Sequence, residues 1–376
     1  MTKPFLKWPG GKGQEIGIID KNMPTDIENY IEPFLGGGAC FLSLGTDKYN
    51  KAYVNDLSDE LISLNIMIKE QNLVFNNYLY DIWNFWDVGR WFSSKFYNQV
   101  REIYGSYKDN ILNDSQLKLK VNEFVDDRTN LLFEELPISL NINGHRLIIE
   151  FKKSIFSKFK NIKRKEIKDG DLPEDDYASN FESGIRASIY TYYRHLYNNV
   201  NLYNIDRELH IALFFYLREF CYSSMFRYNN NDEFNVPYGG LSYNNKNFIS
   251  KIEYTRSEEL ISILNRADFH NLDFEEFLRK IEINNNDFMF LDPPYDGGFS
   301  TYANNNFERK DQIRLSNYLI DECNCRFMLI IKNTDFIAEL YTNKENINII
   351  GFDKGYKVSF MDRNDKKVRH ILITNY

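Results

Sequence analysis

The sequence predicts an α/β chain built on a doubly wound sheet, and three strand ends predict it. An apolar approach, Tyr30-Ile31, runs into Glu32-Pro33-Phe34-Leu35-Gly36-Gly37-Gly38 and then into a helix-like run that begins at Ala39-Cys40-Phe41. A second, Ala52-Tyr53-Val54, ends in Asn55-Asp56, about 20 positions after the glycines. A third, Phe288-Met289-Phe290, ends in Leu291-Asp292-Pro293-Pro294-Tyr295. Ligand motifs at the ends of consecutive strands mark an open α/β sheet, in which ligands sit outside the strands' carboxyl ends.

The other elements follow in order. After Ser58, the residues Leu61, Ile62, Leu64, Ile66, Met67 and Ile68 predict an apolar helix. Residues 75–110 are rich in aromatics (Trp83, Phe85, Trp86 and Trp91 among them), which predicts packed helices, with these rings more often core than base-stacking platforms. Residues 108–185 carry most of the charge runs. Within them the alternation from Ile138 to Ile149 around Asn143-Gly144 predicts a hairpin with a tight turn. Residues 186–228 return to helical spacing. Strands are expected at Ala267–His270, 283–291 and 326–332, with a helix near 311–320, and Ile347–Phe360 and Lys367–Tyr376 pair as antiparallel strands.

The loop after the third of these opening runs is the candidate for the chemistry, with an ordinary strand-to-turn junction as the other reading of Asp-Pro-Pro. Asp292 offers a carboxylate, Pro293 a carbonyl fixed between prolines, and Tyr295 an aromatic face. An enzyme that methylates an exocyclic amine needs these three. The amine's lone pair is delocalised into its ring, so two acceptors must take its N–H hydrogens, while the tyrosine stacks on the ring. The glycine turn brings a ligand close to bare backbone at a helix N-terminus, and Asp56 stands where nucleotide folds bind a ribose diol. The glycines do not follow G-x-G-x-x-G, and no Lys-Ser/Thr follows them, so neither the dinucleotide fingerprint nor a phosphate-cradling loop is present.

Composition excludes more than it identifies. At 376 residues the chain holds one large or two moderate domains. Cys40, Cys221, Cys323 and Cys325 show no disulfide framework, and reduced thiols are expected. His145, His195, His210, His270 and His370 form no triad or metal spacing, and no catalytic metal is expected. No apolar stretch spans a bilayer and the N-terminus leads directly into motif residues, so a cytoplasmic location is expected. The formal net charge is −8, yet nucleic acid responds to local charge. Lys152, Lys153, Lys158, Lys160, Lys163, Arg164, Lys165 and Lys168 crowd one segment, with two readings open: a phosphate-contacting helix, or a solvated face answered by the acids of 169–176.

Four blocks, in this order, resemble the Dam-type (D12 class, alpha-group) adenine-specific DNA N6-methyltransferases. They are Lys7-Trp8-Pro9-Gly10-Gly11-Lys12, Glu32 to Phe41 with Asn55-Asp56, Arg227-Tyr228-Asn229 through Glu233-Phe234-Asn235-Val236-Pro237-Tyr238-Gly239, and Asp292 to Tyr295. The resemblance covers roughly residues 1–85 and 190–376. It implies a Rossmann-like seven-stranded sheet whose last pair is antiparallel, residues 1–75 and 265–376 forming the catalytic domain. Residues 76–264 then form a mainly helical target-recognition domain with an extra insertion around 108–185.

The resemblance also implies roles. Trp8, Gly10 and Lys12 close over S-adenosylmethionine, Phe34, Gly36 and Gly38 line its methionine portion, and Asp56 takes its ribose hydroxyls. Asp273-Phe274 meets its adenine, and Asp292 touches both cofactor and target. Asp292, Pro293, Pro294 and Tyr295 are the catalytic set, acting on an adenine flipped out of double-stranded DNA. Tyr302 lies where the family closes over the flipped base, either stacking on it or filling space. Arg227, Asn229, Asn235 and Pro237 belong to the recognition loop, where Arg227 either reads a guanine edge or clamps a phosphate. Where some GATC-modifying relatives carry Tyr-Asn-Gly-Leu, this chain has Tyr222-Ser223-Ser224-Met225, so the recognised bases stay open. A cognate restriction endonuclease is the partner expected of a restriction–modification pair. The alternatives are an RNA adenine methyltransferase and a non-catalytic DNA-binding regulator of the same fold.

Overall fold

The computed structural model describes residues 2–8, 10–295, 307–355 and 367–376. Its apolar runs become seven strands: β1 (Asn29–Glu32), β2 (Lys51–Asn55), β3 (Ala267–His270), β4 (Phe288–Leu291), β5 (Arg326–Lys332), β6 (Asn348–Gly355) and β7 (Lys367–Thr374). They form one sheet in the order β3-β2-β1-β4-β5-β7-β6. β1 to β5 pair in parallel, and β7 lies antiparallel to both β5 and β6. The strand order reverses between β1 and β4, and such a reversal opens a crevice at the strands' carboxyl ends. Tyr30 pairs with Phe288 and Ile31 with Met289, so the glycine turn and the Asp292 loop leave the sheet as neighbours.

Burial explains why these short runs are strands. All four residues of β4 are buried, as a strand covered on both faces requires. Side chains two apart share a face. Ile31, Met289, Leu291, Phe327, Leu329, Ile331, Ile371 and Ile373 therefore form one layer. Phe274, Phe277 and Leu278, then Leu315 and Leu319, then Ile337 and Tyr341 cover it from the segments Phe274–Lys280, 309–322 and Asp335–Tyr341.

The chain divides into two compact units, Met1–Glu70 with Tyr254–Tyr376, and Gln71–Glu253. The second is helical. Its longest helices are Leu73–Lys95, Gly144–Asp169 and Glu174–Asn198, and Arg207–Phe220 is almost wholly buried. The aromatics of 75–110 supply core: Phe75, Phe85, Trp86 and Phe92 are fully buried.

The hairpin expected between Ile138 and Ile149 does not form. Ile138–Leu140 is a single 3-10 turn, and a 26-residue helix begins at Gly144. Asn-Gly serves here as a helix start, because the Asn143 side chain accepts the Arg146 amide at 3.0 Å. The short alternation is overridden by a longer one: Leu147, Phe151, Ile155, Phe159 and Ile162 repeat at helical spacing and are buried.

The same helix carries the basic cluster, and several of its members are engaged within the fold by partners other than the acids of 169–176. Lys152 pairs with Asp126 at 2.5 Å and Lys160 with Asp114 at 2.6 Å. Lys163 donates to the Tyr107 carbonyl at 2.6 Å, and burial lowers the Lys158 pKa. Lys153, Arg164, Lys165 and Lys168 are exposed.

Candidate active site and nucleic-acid-binding loop

The glycine turn is shaped by what lies on it. Gly36 and Gly38 have φ of +49° and +65°, in the left-handed region where a side chain is strained. A Cβ on Gly36 would stand 3.0 Å from Trp8 Cδ1, and one on Gly37 3.1 Å from Trp8 Cβ. The half-buried Trp8 thus rests on bare backbone, which accounts for two adjacent glycines at once. Gly10, at φ +78°, turns the chain between Trp8 and Lys12.

Asp56, at the end of β2, ties two loops together. Its carboxylate accepts the Gly36 amide at 2.8 Å and the Ser58 amide at 2.9 Å. Burial nevertheless raises its pKa, against the pull of the Ser58, Gly36 and Leu57 amides. Asn55 beside it donates to the Pro33 and Leu272 carbonyls at 3.1 and 3.0 Å, so the ends of β1, β2 and β3 are held in register.

Lys12 reaches the third loop. Buried at 3% exposure, its ammonium forms an ion pair with Asp292 Oδ1 and donates to the Tyr295 hydroxyl at 2.8 Å. Tyr295 is braced on another side by His370 of β7, ring centroids 5.4 Å apart and edge to face. His370 is fully buried. Asp292, Pro293, Pro294 and Tyr295 follow β4 without regular structure.

The Asp273 and Phe274 positions are also occupied in the fold. Asp273 caps the helix Phe274–Lys280 by accepting the Glu275 amide, and it pairs with Arg314 at 2.6 Å. Phe274 is buried, 5.5 Å from Phe34 and 5.7 Å from Phe307 between centroids, and Phe34 meets Phe307 edge to face at 5.5 Å. These three rings form one wall beside the glycine turn.

Two residues to which the motifs gave no role also hold these loops. Glu32 ends β1 fully buried, and burial, with Asp292 adding to it, holds its carboxyl well above the usual range. It accepts the Tyr30 hydroxyl at 2.9 Å and the Phe41 amide, joining the strand end to the first turn of the helix Ala39–Ser43. Its signal was its place immediately before Pro33-Phe34. Gln312 donates to the Pro294 carbonyl at 2.8 Å from a fully buried position, and nothing in its local sequence marks it.

In the second unit, residues 221–239 fold back on themselves through the bridges Cys221–Tyr238 and Tyr228–Phe234. The Asn198 side chain makes both hydrogen bonds to the Phe234 backbone that a neighbouring strand would make, each at 2.9 Å. Phe226 and Phe234 stack at 4.3 Å beneath. Arg227 is exposed beside Asn230 and Asn231, and no ion pair to it occurs among the described residues. Asn229 shapes the loop itself, because its side-chain oxygen accepts the Asn231 and Glu233 amides and closes the tip. Asn235 is half-buried, its carbonyl held by Arg194, and Pro237 is exposed with its carbonyl accepting the Tyr222 amide. Ser223 and Ser224 both have positive φ, 54° and 53°. The backbone thus keeps a shape suited to Asn-Gly while the residues are serines. Tyr302 lies outside the described residues.

A family model described as D12 class N6 adenine-specific DNA methyltransferase matches residues 8–352. The type II methyltransferase M.CviBI of Paramecium bursaria Chlorella virus NC1A is 25% identical over 380 residues, covering 100% of both chains. The type II methyltransferase M.MjaIII of Methanocaldococcus jannaschii is 25% identical over 362 residues, 93% of this chain and 90% of the relative. A DNA adenine methylase of Haemophilus influenzae is 22% identical over 353 residues, 90% and 82% of the two chains.

Proposed function

The chain belongs to the D12 class of N6 adenine-specific DNA methyltransferases, and on that premise we propose how its residues divide the work. Asp292, Pro293, Pro294 and Tyr295 form the catalytic loop. Trp8, Gly10, Lys12, Phe34, Gly36, Gly38, Asp56, Asp273 and Phe274 form the pocket for S-adenosylmethionine, which when bound supplies an activated methyl group. The observation that carries this reading is the parallel pairing of β1 with β4, which sets the glycine turn and the Asp292 loop side by side at the switch point. The residues present fit that cofactor. A carboxylate at the end of β2 and an aromatic wall suit a ribose and a purine in turn, while the Gly36 and Gly37 backbone seats the Trp8 side chain at the same turn.

The chain's own part is mostly positioning. The Asp292 carboxylate and the Pro293 carbonyl accept the two N–H hydrogens of the target amine, where positive charge develops during transfer. Tyr295, held by Lys12 and His370, offers its face to the base. Lys12 compensates the Asp292 charge at the same point where the amine arrives. Adenine in a duplex does not reach such a loop while stacked, so the base is flipped. Arg227 lies on the DNA-contacting loop, reading a base edge or clamping a phosphate. A cytoplasmic location and, for a restriction–modification role, a cognate endonuclease go with this reading; no helix among the described residues is long and apolar enough to cross a membrane.

Tritium transfer from labelled S-adenosylmethionine tests the reading. Label is expected in duplex DNA and in its adenine. Transfer to RNA alone would favour the RNA reading, and transfer to neither a non-catalytic regulator.

A further inference from the structure

The loop Asp292-Pro293-Pro294-Tyr295 poses a problem of anchorage. Prolines carry no backbone N–H, so two consecutive prolines remove two of the donors with which a loop is ordinarily tied down. The carbonyls remain, and a carbonyl is held only by a donor from elsewhere. Gln312 supplies one. Its side-chain Nε2 donates to the Pro294 carbonyl at 2.8 Å, and the residue has no exposure at all. The partner is an acceptor, so the amide must present its NH2 end, and the orientation is fixed by chemistry.

The carbonyl in question belongs to the peptide plane that joins Pro294 to Tyr295. Fixing it sets the direction in which the chain enters Tyr295, whose ring is then braced by Lys12 and His370. It also engages the Pro294 carbonyl, leaving the Pro293 carbonyl as the loop's other acceptor. The helix that carries Gln312, Arg309–Asn317, is anchored on its other side, where Arg314 fastens it to Asp273 at 2.6 Å and to Glu275 at 2.8 Å. One short helix therefore touches both the Asp292 loop and the loop after β3.

We infer that Gln312 is a positioning residue for methyl transfer, acting through its hydrogen bond to the Pro294 carbonyl to hold the acceptor loop in its reactive orientation. The inference rests on the reading of Asp292–Tyr295 as the catalytic loop. Packing alone predicts that any residue of the same shape serves equally. A positioning hydrogen bond predicts that the donor matters.

Two variants separate these. Gln312→Leu removes the donor with little change in bulk. Its kcat is expected to fall between about tenfold and a hundredfold, the scale of a small misplacement of reacting groups. S-adenosylmethionine affinity should remain within about twofold, well short of the tenfold that 1.4 kcal/mol represents. Gln312→Glu keeps the shape but places a carboxylate oxygen against a carbonyl. Protonated, that carboxyl donates an O–H to Pro294, so the ratio of its kcat to the wild-type kcat should rise as pH falls from 8 to 6. Asp292, Lys12, Tyr295, His370, Asp311 and Arg314 are common to both proteins, and the ratio cancels their titration. If Gln312→Leu fails to fold, the pH ratio of Gln312→Glu still decides. Wild-type kcat in Gln312→Leu, or a flat ratio in Gln312→Glu, overturns the inference. Asp292→Ala is measured alongside: if it retains turnover, the reading of the loop fails, whereas an inactive Asp292→Ala with an unaffected Gln312 variant sinks only the inference.

Discussion

Replacing Gly36 by alanine tests the fit between the N-terminal block and the glycine turn. Two costs are readable from the structure. The first is backbone: φ is +49°, and an L-residue in the left-handed region loses about 1–2 kcal/mol. The second is steric, because the new Cβ would stand 3.0 Å from Trp8 Cδ1, inside the ~3.5–4.0 Å separation of carbons in good contact. Overpacking of this kind costs about 1–3 kcal/mol, relieved here by moving the half-buried Trp8 ring. The backbone cost lowers stability of the whole unit, but the ring's displacement falls on the proposed cofactor pocket. Titration calorimetry with S-adenosylmethionine should therefore show affinity reduced roughly 10- to 100-fold, since about 1.4 kcal/mol is tenfold. Gly17→Ala is the control: its Cβ meets nothing within 4 Å, and no positive φ is involved, so binding should not change. The double variant Trp8→Ala/Gly36→Ala removes the clash but leaves the φ cost. It should lose less than the sum of the single losses, by at least about 0.5 kcal/mol. Strict additivity, or undiminished binding by Gly36→Ala, would refute the reasoning.

Three further outcomes are expected. Arg227→Ala should lower preference for the recognised site, by about 1–3 kcal/mol if the guanidinium reads a base edge, while S-adenosylmethionine binding is unchanged; a uniform loss across DNA sequences, with a reduced salt slope, would mean a phosphate clamp. Ser224→Gly should raise the urea midpoint, by up to about 1 kcal/mol of relieved left-handed strain less the freedom glycine adds to the unfolded chain, and a lower midpoint would contradict the strain. Glu166 is buried, and although burial raises its pKa, the Tyr104 and Tyr177 hydroxyls, the Leu172 amide and Lys108 outweigh it and the pKa is lowered. A depressed folded value contributes stability above the unfolded pKa of about 4.3, lost as pH falls through the folded value. Glu166→Gln should thus be destabilised at pH 7, with the deficit shrinking below pH 4 in urea denaturation; a deficit independent of pH would show that the ionised form is not what matters.

The sequence revealed the parts that obey short rules. Apolar runs with a ligand motif at one end became β1, β2 and β4, and the family blocks marked Trp8, Lys12 and Asp292 without any view of their contacts. Their meeting was legible only as topology, because Lys12 and Asp292 are 280 positions apart and their contact depends on sheet order. The failure at Asn143-Gly144 has a physical cause: an asparagine before a glycine suits a tight turn and a helix start equally, and only the burial pattern further along decides. Gln312 and Asn198 were invisible for a different reason. Each acts through one side-chain amide on a distant backbone group, and no spacing encodes that. In the basic helix, charge counting saw eight cations but not the Asp126, Asp114 and Tyr107 partners on neighbouring helices that answer three of them.

The most direct measurement is the N6-methyladenine content of duplex DNA, by mass spectrometry of its nucleosides, after incubation with S-adenosylmethionine and either wild-type protein or Asp292→Ala. Wild type should produce the modified nucleoside, and the variant, folded by circular dichroism, should produce none above background. Comparable methylation by folded Asp292→Ala, or methylation by wild type at a cytosine in place of adenine, would contradict the account.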